Sequence, residues 1–496
     1  MGSSTLLELH FVLIPLMAPG HLLPMVDLAR LLARRNVKVT IMTSPQNAIR
    51  VQPIIDREIQ SGSSIAVQLF RFPNSEAGLP ERCESLDTLP SMDLLVNFAK
   101  ALWMLQDTVE QLFEELSPTP TCVIFDKYLP FVADIAKKLK VPAISFDGTN
   151  CFTLLCDHNI HNSKVYESVP KSEPVVVPGL PHRIVFKRSQ LPQWFKDNRD
   201  QELDAFHEKM REAEEEAYGV IVNSFEELEA QYVTESKRVK GKKVWCIGPV
   251  SLSNKDDMDK AQRGKTDSNQ EDDRYLKWLD SWPAKTVIYV CLGSLTRVTP
   301  AQLMELGLGL EATKRPFIWV LRESHRRDEM EKLLKEDGLE ERVKARALII
   351  RGWVPQVLIL SHKAIGAFLT HCGWNSTLEG ICNGLPLITF PRFSDQFYNE
   401  KVAVQLLEIG ARLGVENAVH FGEDEDNYGI QVKREKVKEA IEKVMAEEDE
   451  ESESIRERAR NYAEKAHKAM EKDGSSYLNL SLLIEDIYKT TCDIRG

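Results

Sequence analysis

Residues 353–396 read WVPQVLILSHKAIGAFLTHCGWNSTLEGICNGLPLITFPRFSDQ, and this stretch decides both the fold and the chemistry. Within it, residues 366–370 predict a buried strand and residues 377–382 predict a helix. Gly373, between them, lets the backbone approach an anion, and the helix start supplies free N–H donors and a positive dipole end. The same turn adds side-chain donors, which are His371, Asn375 and Ser376. This combination suits a pyrophosphate group.

The stretch resembles the signature box of the plant secondary-product glycosyltransferases in its length, its start and its end. The matching positions are Trp353, Pro355, Gln356, His371, Gly373, Trp374, Asn375, Ser376, Glu379, Pro391, Asp395 and Gln396. The resemblance extends over nearly the whole chain. It implies a UDP-sugar-dependent glycosyltransferase of GT-B fold, an α/β architecture of two doubly wound parallel-sheet domains.

The resemblance also implies where the sugar nucleotide binds. The implied contacts are Trp353, Val354, Gln356 and Glu379 for the nucleoside, Ser294, His371, Asn375 and Ser376 for the phosphates, and Trp374, Asp395 and Gln396 for the sugar. A carboxylate beside an amide can hold adjacent hydroxyls, and the Gln396 amide offers both a donor and acceptors. We therefore expect UDP-glucose as the donor. Taken singly, each of these residues has a structural alternative as a helix cap, core aromatic or surface polar group.

Two residues outside the box, His21 and Asp126, form the candidate catalytic pair. His21 lies at a strand-to-helix turn and Asp126 ends the apolar run 122–126, so both fall where a parallel sheet presents its ligands. A neutral histidine can remove a hydroxyl proton while a carboxylate on its other nitrogen fixes the tautomer. The resemblance implies that His21 is the base and Asp126 its partner, with inversion at the anomeric carbon. The alternatives are a capping or cleft-lining histidine and a solvated aspartate.

The rest of the chain alternates short apolar runs with helical patterns, which predicts parallel sheets covered by helices. Strands are predicted at 9–17, 37–43, 122–126, 143–146, 219–224, 244–249, 286–292, 316–321, 347–352, 366–370 and 385–390. We expect an N-terminal acceptor-binding domain (1–250), a charged surface linker (251–273), a C-terminal UDP-sugar-binding domain (274–475) and a final helix (476–496) that packs back on the body. Two such domains would face each other across a cleft.

Composition narrows the class of protein further. A chain of 496 residues exceeds what one hydrophobic core usually supports, and a net charge of −12 argues against a nucleic-acid partner. The nine cysteines are scattered without metal or disulfide spacing, and no signal peptide or membrane-spanning run is present in the sequence. We expect a cytoplasmic monomer whose partners are a UDP-sugar and a lipophilic hydroxylated acceptor.

Metal dependence is not expected. Asp424-Glu425-Asp426 has the letters of a metal-binding DxD motif but lies in an acidic run, which predicts a solvated loop. The helix start and its side-chain donors can carry the charge of the leaving group. UDP-glucose is then a co-substrate, and no cofactor or metal is needed.

The acceptor and the donor sugar leave alternatives open. The chain looks most like the family branch that acts on triterpenoid, steroid and flavonoid hydroxyls, through residues 179–192, 244–252 and 307–319. Arg392 stands where an apolar residue is commoner; it could contact an acidic sugar or acceptor, or be a surface or salt-bridged residue. UDP-glucuronic acid or UDP-galactose as donor, an epimerase of the same fold, and a catalytically dead UDP-sugar-binding protein remain as alternatives.

Overall fold

The structure, a computed structural model, describes residues 8–170, 173–195, 201–264, 272–321, 326–420 and 423–495. Its strands are β1 (His10–Ile14), β2 (Lys38–Thr43), β3 (Ile65–Leu69), β4 (Cys122–Asp126), β5 (Ala143–Asp147), β6 (Val175–Val176), β7 (Val185–Phe186), β8 (Gly219–Val222), β9 (Lys243–Cys246), β10 (Val287–Cys291), β11 (Phe317–Leu321), β12 (Ala347–Arg351), β13 (Ile365–Thr370), β14 (Leu387–Thr389) and β15 (Gly410–Arg412).

The helices alternate with these strands. They are α1 (Pro19–Ala33), α2 (Pro45–Ile49), α3 (Gln52–Gln60), α4 (Leu95–Trp103), α5 (Gln106–Glu115), α6 (Phe131–Leu139), α7 (Cys151–Ser163), α8 (Val165–Ser168), α9 (Gln201–Glu216), α10 (Glu226–Lys240), α11 (Asp257–Gln262), α12 (Asp272–Asp280), α13 (Pro300–Ala312), α14 (Arg327–Asp337), α15 (Leu339–Val343), α16 (Gln356–Leu360), α17 (Trp374–Cys382), α18 (Gln396–Lys401), α19 (Arg434–Met445), α20 (Glu450–Met470) and α21 (Ser475–Arg495). None of the helices in the described ranges is both long and apolar enough for a bilayer crossing.

The chain divides into two compact units. The N-terminal unit comprises the described residues within Met1–Cys151, Asp200–Thr266 and Lys468–Gly496, and the C-terminal unit those within Phe152–Arg199 and Asp267–His467. Residues 152–199, which the sequence analysis placed in the N-terminal domain, therefore group with the C-terminal unit. That grouping depends on contacts between residues far apart in the chain, which local sequence does not reveal.

The N-terminal unit is built on a parallel sheet of order β3-β2-β1-β4-β5-β8-β9. The central strands β1 and β4 are buried throughout, as expected for strands with helices on both faces. Strand order reverses between β1 and β4, and in doubly wound sheets ligands bind beyond the strand C-termini at such a point.

The C-terminal unit contains a second parallel sheet, of order β12-β11-β10-β13-β14-β15. Its strand order reverses between β10 and β13. A separate antiparallel pair, β6 and β7, belongs to the same unit. The predicted α/β fold with two doubly wound parallel sheets is confirmed.

The segment predicted as a charged surface linker differs from its prediction where the structure describes it. Val250–Ser253 forms a 3-10 turn followed by α11, and both belong to the N-terminal unit. Two of its charged residues are buried in ion pairs with α1: Asp259 contacts Arg30 at 2.6 Å, and Arg263 contacts Asp27 at 2.8 Å. These two charged side chains can be buried because each is paired with an opposite charge.

Candidate functional site

His21 and Asp126 come together where the order of the N-terminal sheet reverses. His21 lies in the first turn of α1, and Asp126 is the last residue of β4. His21 Nδ1 is 2.8 Å from Asp126 Oδ2, and the other carboxylate oxygen accepts the backbone N–H of Tyr128 at 3.1 Å. Asp126 is buried, whereas 29% of the His21 side chain is exposed. With Nδ1–H donated to the carboxylate, Nε2 is the ring nitrogen that can accept a proton.

The surroundings of His21 make its imidazole a stronger base. Burial by itself lowers the pKa of His21, but the negative charge of Asp126 and the hydrogen bond to it outweigh burial and raise that pKa above its ordinary value. Lys127 opposes this effect and Asp147 adds to it. Lys127 Nζ lies 2.9 Å from Asp147 Oδ2, so these two charges largely offset each other. The pair is chemically suited to take a proton from a hydroxyl group.

An aromatic cluster, Tyr128, Phe206 and Trp103, lies beside the histidine. The ring centroid of Tyr128 is 5.4 Å from that of His21, Phe206 stacks on Tyr128 at 6.5 Å, and Trp103 meets the edge of Phe206 at 5.7 Å. The three side chains are half-buried. Phe206 was missed by the sequence analysis because it lies on α9, a charged helix whose apolar content is low. The cluster offers flat apolar surface next to the base.

In the C-terminal unit, the strand order reverses beside His371 and Ser294, which follow β13 and β10. A Cβ atom placed on Gly293 or on Gly373 would lie 2.4 Å from His371 Nε2. The imidazole is therefore packed between two residues that must lack side chains. Gly373 is also the N-cap of α17, so His371 lies next to the first-turn N–H groups of that helix.

Three further predicted residues join in one hydrogen-bonded group. The Gln356 amide nitrogen donates to Ser376 Oγ at 3.0 Å and to Glu379 Oε2 at 2.7 Å. The amide oxygen of Gln356 accepts from the buried Tyr289 hydroxyl at 3.4 Å. Ser376 and Glu379 are on the first turns of α17, so this group ties the Gln356 side chain to the helix start.

The remaining predicted donor residues lie in the same unit. Trp353 and Val354 occupy the connection between β12 and α16, and Trp374 and Asn375 are the first two residues of α17. The structure thus brings the donor-site candidates together in the C-terminal unit and the catalytic candidates together in the N-terminal unit.

The side chains of the expected sugar contacts, Gln396 and Asp395, make hydrogen bonds to nearby residues of the chain. Gln396 Oε1 accepts the backbone N–H of Arg392 at 2.8 Å and that of Phe393 at 3.2 Å. In this structure the carbonyl end of the amide is thus occupied by its own loop, and its contact with sugar hydroxyls stays a prediction. The amide nitrogen of Gln396 keeps its donor capacity. Asp395 Oδ2 accepts from Asn399 Nδ2 at 2.8 Å.

Arg392 is buried, so the alternative that it is a surface residue does not hold. Only 3% of it is exposed, its guanidinium lies 5.3 Å from the Phe390 ring, and its Nε has no hydrogen-bond partner among the described residues. Burial lowers the pKa of Arg392 to about 10, against the attraction of Glu425. The group therefore remains a cation at neutral pH beside the expected sugar contacts.

The acidic run at 424–426 only partly matches its prediction as a solvated loop. Asp424 and Asp426 are exposed; Asp424 caps a short 3-10 turn, and Asp426 pairs with Arg326 at 2.8 Å. Glu425 between them is buried. Across the described ranges, no three His, Cys, Asp or Glu side chains are grouped so that they could hold a metal ion. All nine cysteines are free thiols.

Comparison with known proteins places these two units among sugar-nucleotide enzymes. The family described as UDP-glucoronosyl and UDP-glucosyl transferase matches residues 264–420, and the glycosyltransferase N-terminal domain matches residues 8–252. UDP-glycosyltransferase 73C12 of Barbarea vulgaris is 49% identical over 97% of this chain and 96% of its own length.

Solved structures give the same result. Glycyrrhiza uralensis UGT73P12, in complex with glycyrrhetinic acid 3-O-monoglucuronide, is 35% identical with a TM-score of 0.90, over 99% of this chain and 97% of that protein. Arabidopsis thaliana UGT89C1, solved with UDP-L-rhamnose and with quercetin, is 26% identical with a TM-score of 0.72, over 97% of this chain and 100% of its own.

Proposed function

The chain belongs to the plant UDP-glycosyltransferase family, and we propose that it transfers glucose from UDP-glucose to a hydroxyl group of a lipophilic small molecule, with inversion at the anomeric carbon. The observation that carries this proposal is the 2.8 Å contact between His21 and Asp126 beside the aromatic cluster. It supplies a base and an apolar surface in one place.

The proposed reaction uses the acceptor oxygen as the nucleophile. His21 Nε2 takes the hydroxyl proton, the oxygen forms its bond to the anomeric carbon, and the bond from that carbon to the UDP oxygen breaks. Asp126 stabilises the imidazolium that forms. The charge that develops on UDP is met by the N–H groups of α17 and by side-chain donors, which are Ser294, His371, Asn375 and Ser376.

Glucose is proposed as the sugar because of the hydrogen-bonding character of Asp395 and Gln396. Asp395 contributes hydrogen-bond acceptors and Gln396 contributes a donor. Asp395 is the N-cap of α18, and Gln396 is the first residue of that helix. A sugar with one hydroxyl inverted would leave a polar group unpaired there, at a cost of about 1–3 kcal/mol.

A lipophilic acceptor is proposed because the base adjoins aromatic rather than charged surface. Aromatic rings bury large apolar areas and stack on flat ring systems. Two related proteins have been solved with glycyrrhetinic acid 3-O-monoglucuronide and with quercetin respectively. For this chain we propose a triterpenoid, steroid or flavonoid hydroxyl.

The proposal is tested by mass spectrometry of the products formed from UDP-glucose and a mixed panel of triterpenoids, steroids and flavonoids. His21→Ala should reduce turnover by about 100- to 10,000-fold, because the base is lost. UDP binding, measured by calorimetry, should stay near wild type because His21 belongs to the other unit. His182→Ala, an exposed histidine, is the matched control. More than a tenth of wild-type turnover in His21→Ala would refute the base, and no glycoside from any acceptor would favour a dead binding protein.

UDP-glucuronic acid is a second candidate donor, favoured by the buried cation of Arg392. A buried guanidinium can bind a carboxylate in a bidentate manner. The measurement is kcat/KM for UDP-glucose, UDP-galactose and UDP-glucuronic acid with one acceptor. We expect UDP-glucose to be preferred. A preference for UDP-glucuronic acid that disappears in Arg392→Leu would assign UDP-glucuronic acid, not UDP-glucose, as the donor. A preference for UDP-galactose would contradict both of these assignments.

A further inference from the structure

Asn399 on α18 makes hydrogen bonds to two separate parts of the donor site. Its Nδ2 donates to Asp395 Oδ2 at 2.8 Å and to the carbonyl oxygen of Cys372 at 2.8 Å. We propose that Asn399 is a positioning residue, which fixes the sugar-binding carboxylate and the phosphate-binding loop relative to each other. This inference rests on the proposed function, because it takes Asp395 as a sugar contact and residues 371–373 as a phosphate contact.

The orientation of the Asn399 amide is determined by all of its polar atoms. The residue is completely buried. Its two N–H groups are used by the two bonds just described, and its Oδ1 accepts from the Thr153 hydroxyl at 3.4 Å. Thr153 lies on α7, within the C-terminal unit. An amide held on three sides cannot rotate without breaking a buried hydrogen bond, so it holds its partners rigidly.

The Cys372 carbonyl needs such a partner because the residue is buried, and its backbone is also strained. Cys372 has φ +66°, in the left-handed region that residues other than glycine seldom adopt. Its N–H donates to Thr370 Oγ1 at 3.2 Å, and its carbonyl oxygen accepts from Asn399 Nδ2, so both of its backbone polar groups are held. Cys372 stands between His371 and Gly373. Its conformation therefore decides where the His371 imidazole and the start of α17 lie.

Only an amide supplies what this position requires. A carboxylate of the same shape at position 399 would be an acceptor facing two other acceptors, Asp395 and the Cys372 carbonyl. A shorter side chain would reach neither partner. Removing the amide would free Asp395 and relax Cys372, and a misplacement of about 1 Å at a reacting group can cost about 100-fold in rate.

The test compares Asn399→Ala and the isosteric Asn399→Asp with Asn383→Ala as the matched control. Asn383 Nδ2 also donates to a buried backbone carbonyl, that of Glu379 at 2.8 Å, but at the far end of α17. The measurements are the Kd for UDP, kcat and KM for UDP-glucose, and thermal unfolding. Asp395→Ala and the double variant Asn399→Ala/Asp395→Ala complete a double-mutant cycle.

We expect both Asn399 variants to lower kcat/KM for UDP-glucose by about 10- to 100-fold and to weaken UDP binding several-fold. In the Asp395→Ala background, Asn399→Ala should cause a smaller further loss of kcat/KM. The loss that remains should equal the weakening of UDP binding. Asn383→Ala should change thermal unfolding without this pattern.

Two results separate the possible failures. If Asp395→Ala leaves kcat/KM for UDP-glucose unchanged, the proposed sugar contact fails. If Asp395→Ala is impaired but both folded Asn399 variants stay within about threefold of wild type, or their losses add fully to that of Asp395→Ala, the positioning role is refuted. If Asn399→Ala does not fold, the positioning role is tested with Asn399→Asp alone, because this isosteric substitution creates no cavity.

Discussion

The acid–base properties of His21 depend on one carboxylate. Asp126 is buried at the end of β4, and its second oxygen is held by the backbone N–H of Tyr128. The carboxylate therefore cannot turn away, and it raises the pKa of His21 against the opposing effect of burial. A base with a raised pKa is stronger once deprotonated, but it is inactive below that pKa because the imidazole is then protonated.

Asp126→Asn should therefore change the pH dependence of the reaction as well as its rate. Removing the negative charge lowers the pKa of His21, so the acidic limb of kcat/KM should move to lower pH. The plateau should fall by about tenfold or more because the base is weaker and its tautomer is less well fixed. The measurement is a pH–rate profile of both proteins with one aliphatic alcohol and one acidic phenol as acceptors.

The two acceptors provide the internal control for this substitution. A phenol loses its proton more easily, so its rate should fall less than that of the alcohol. An acidic limb that stays in place or moves to higher pH would contradict the assignment of Asp126 as the partner of His21.

The sequence predicted which residues are candidates for the donor site, but it did not predict how their side chains are oriented. The spacing of the box identified Gln396 and Asp395, but the Gln396 carbonyl is turned into its own loop. The turn that joins β14 to Asp395 contains Ser394 at φ +56°, and a serine gives no sequence signal for that conformation. The burial of Arg392 and the contacts of Asn399 likewise depend on segments distant in sequence.

All central strands of the two parallel sheets were predicted from the sequence, but two of the four edge strands were not. Of the strands in the two parallel sheets, β3 and β15 were missed, and each ends its sheet. β3 is mostly exposed or half-buried, and β15 has only three residues, so neither shows the continuous apolar run of a buried strand. After β14, α18 continues into a π-helical segment, Val402–Leu406.

One element, α17, is proposed to do work that a metal ion does in other enzymes. Its first-turn N–H groups, its dipole and the side chains of His371, Asn375 and Ser376 all favour negative charge at the same place. Treatment with EDTA should then leave the initial rate of transfer from UDP-glucose within about twofold of the untreated enzyme. His371→Ala, which removes one of these donors, should in contrast lose activity with or without EDTA. Loss of activity on chelation, with recovery on adding magnesium, would show that the helix start is not sufficient.

At the scale of the whole molecule, the chain returns to its first unit at the end. After the C-terminal unit, α20 leads into α21, whose Leu480, Leu483 and Ile487 join the hydrophobic core around β1 and α1. Arg35 of the N-terminal unit also lies over the Tyr477 ring, 4.0 Å from its centroid. The sequence predicted a final helix at 476–496 that packs back on the body, but it could not identify the surface that receives this helix.

The adjacent residues Leu483 and Leu482 allow this packing to be tested with a matched pair. Leu483 is completely buried in the core of the N-terminal unit, whereas 54% of Leu482 is exposed. Leu483→Ala should lower the free energy of unfolding of that unit by about 2–5 kcal/mol, through lost burial and the cavity left behind. Leu482→Ala should change it by less than about 0.5 kcal/mol. The measurements are urea unfolding and amide hydrogen exchange followed by mass spectrometry.

Hydrogen exchange shows where the loss of stability falls. Peptides from β1, β4 and β9 should exchange faster in Leu483→Ala, because their core contains the truncated side chain. Peptides from β10 and β13 should keep their protection, because the hydrophobic core that Leu483 joins is made of residues of the N-terminal unit. Equal acceleration in both sheets would mean that α21 does not belong to one unit as the structure has it. Unchanged exchange everywhere would mean that the helix contributes little to either core.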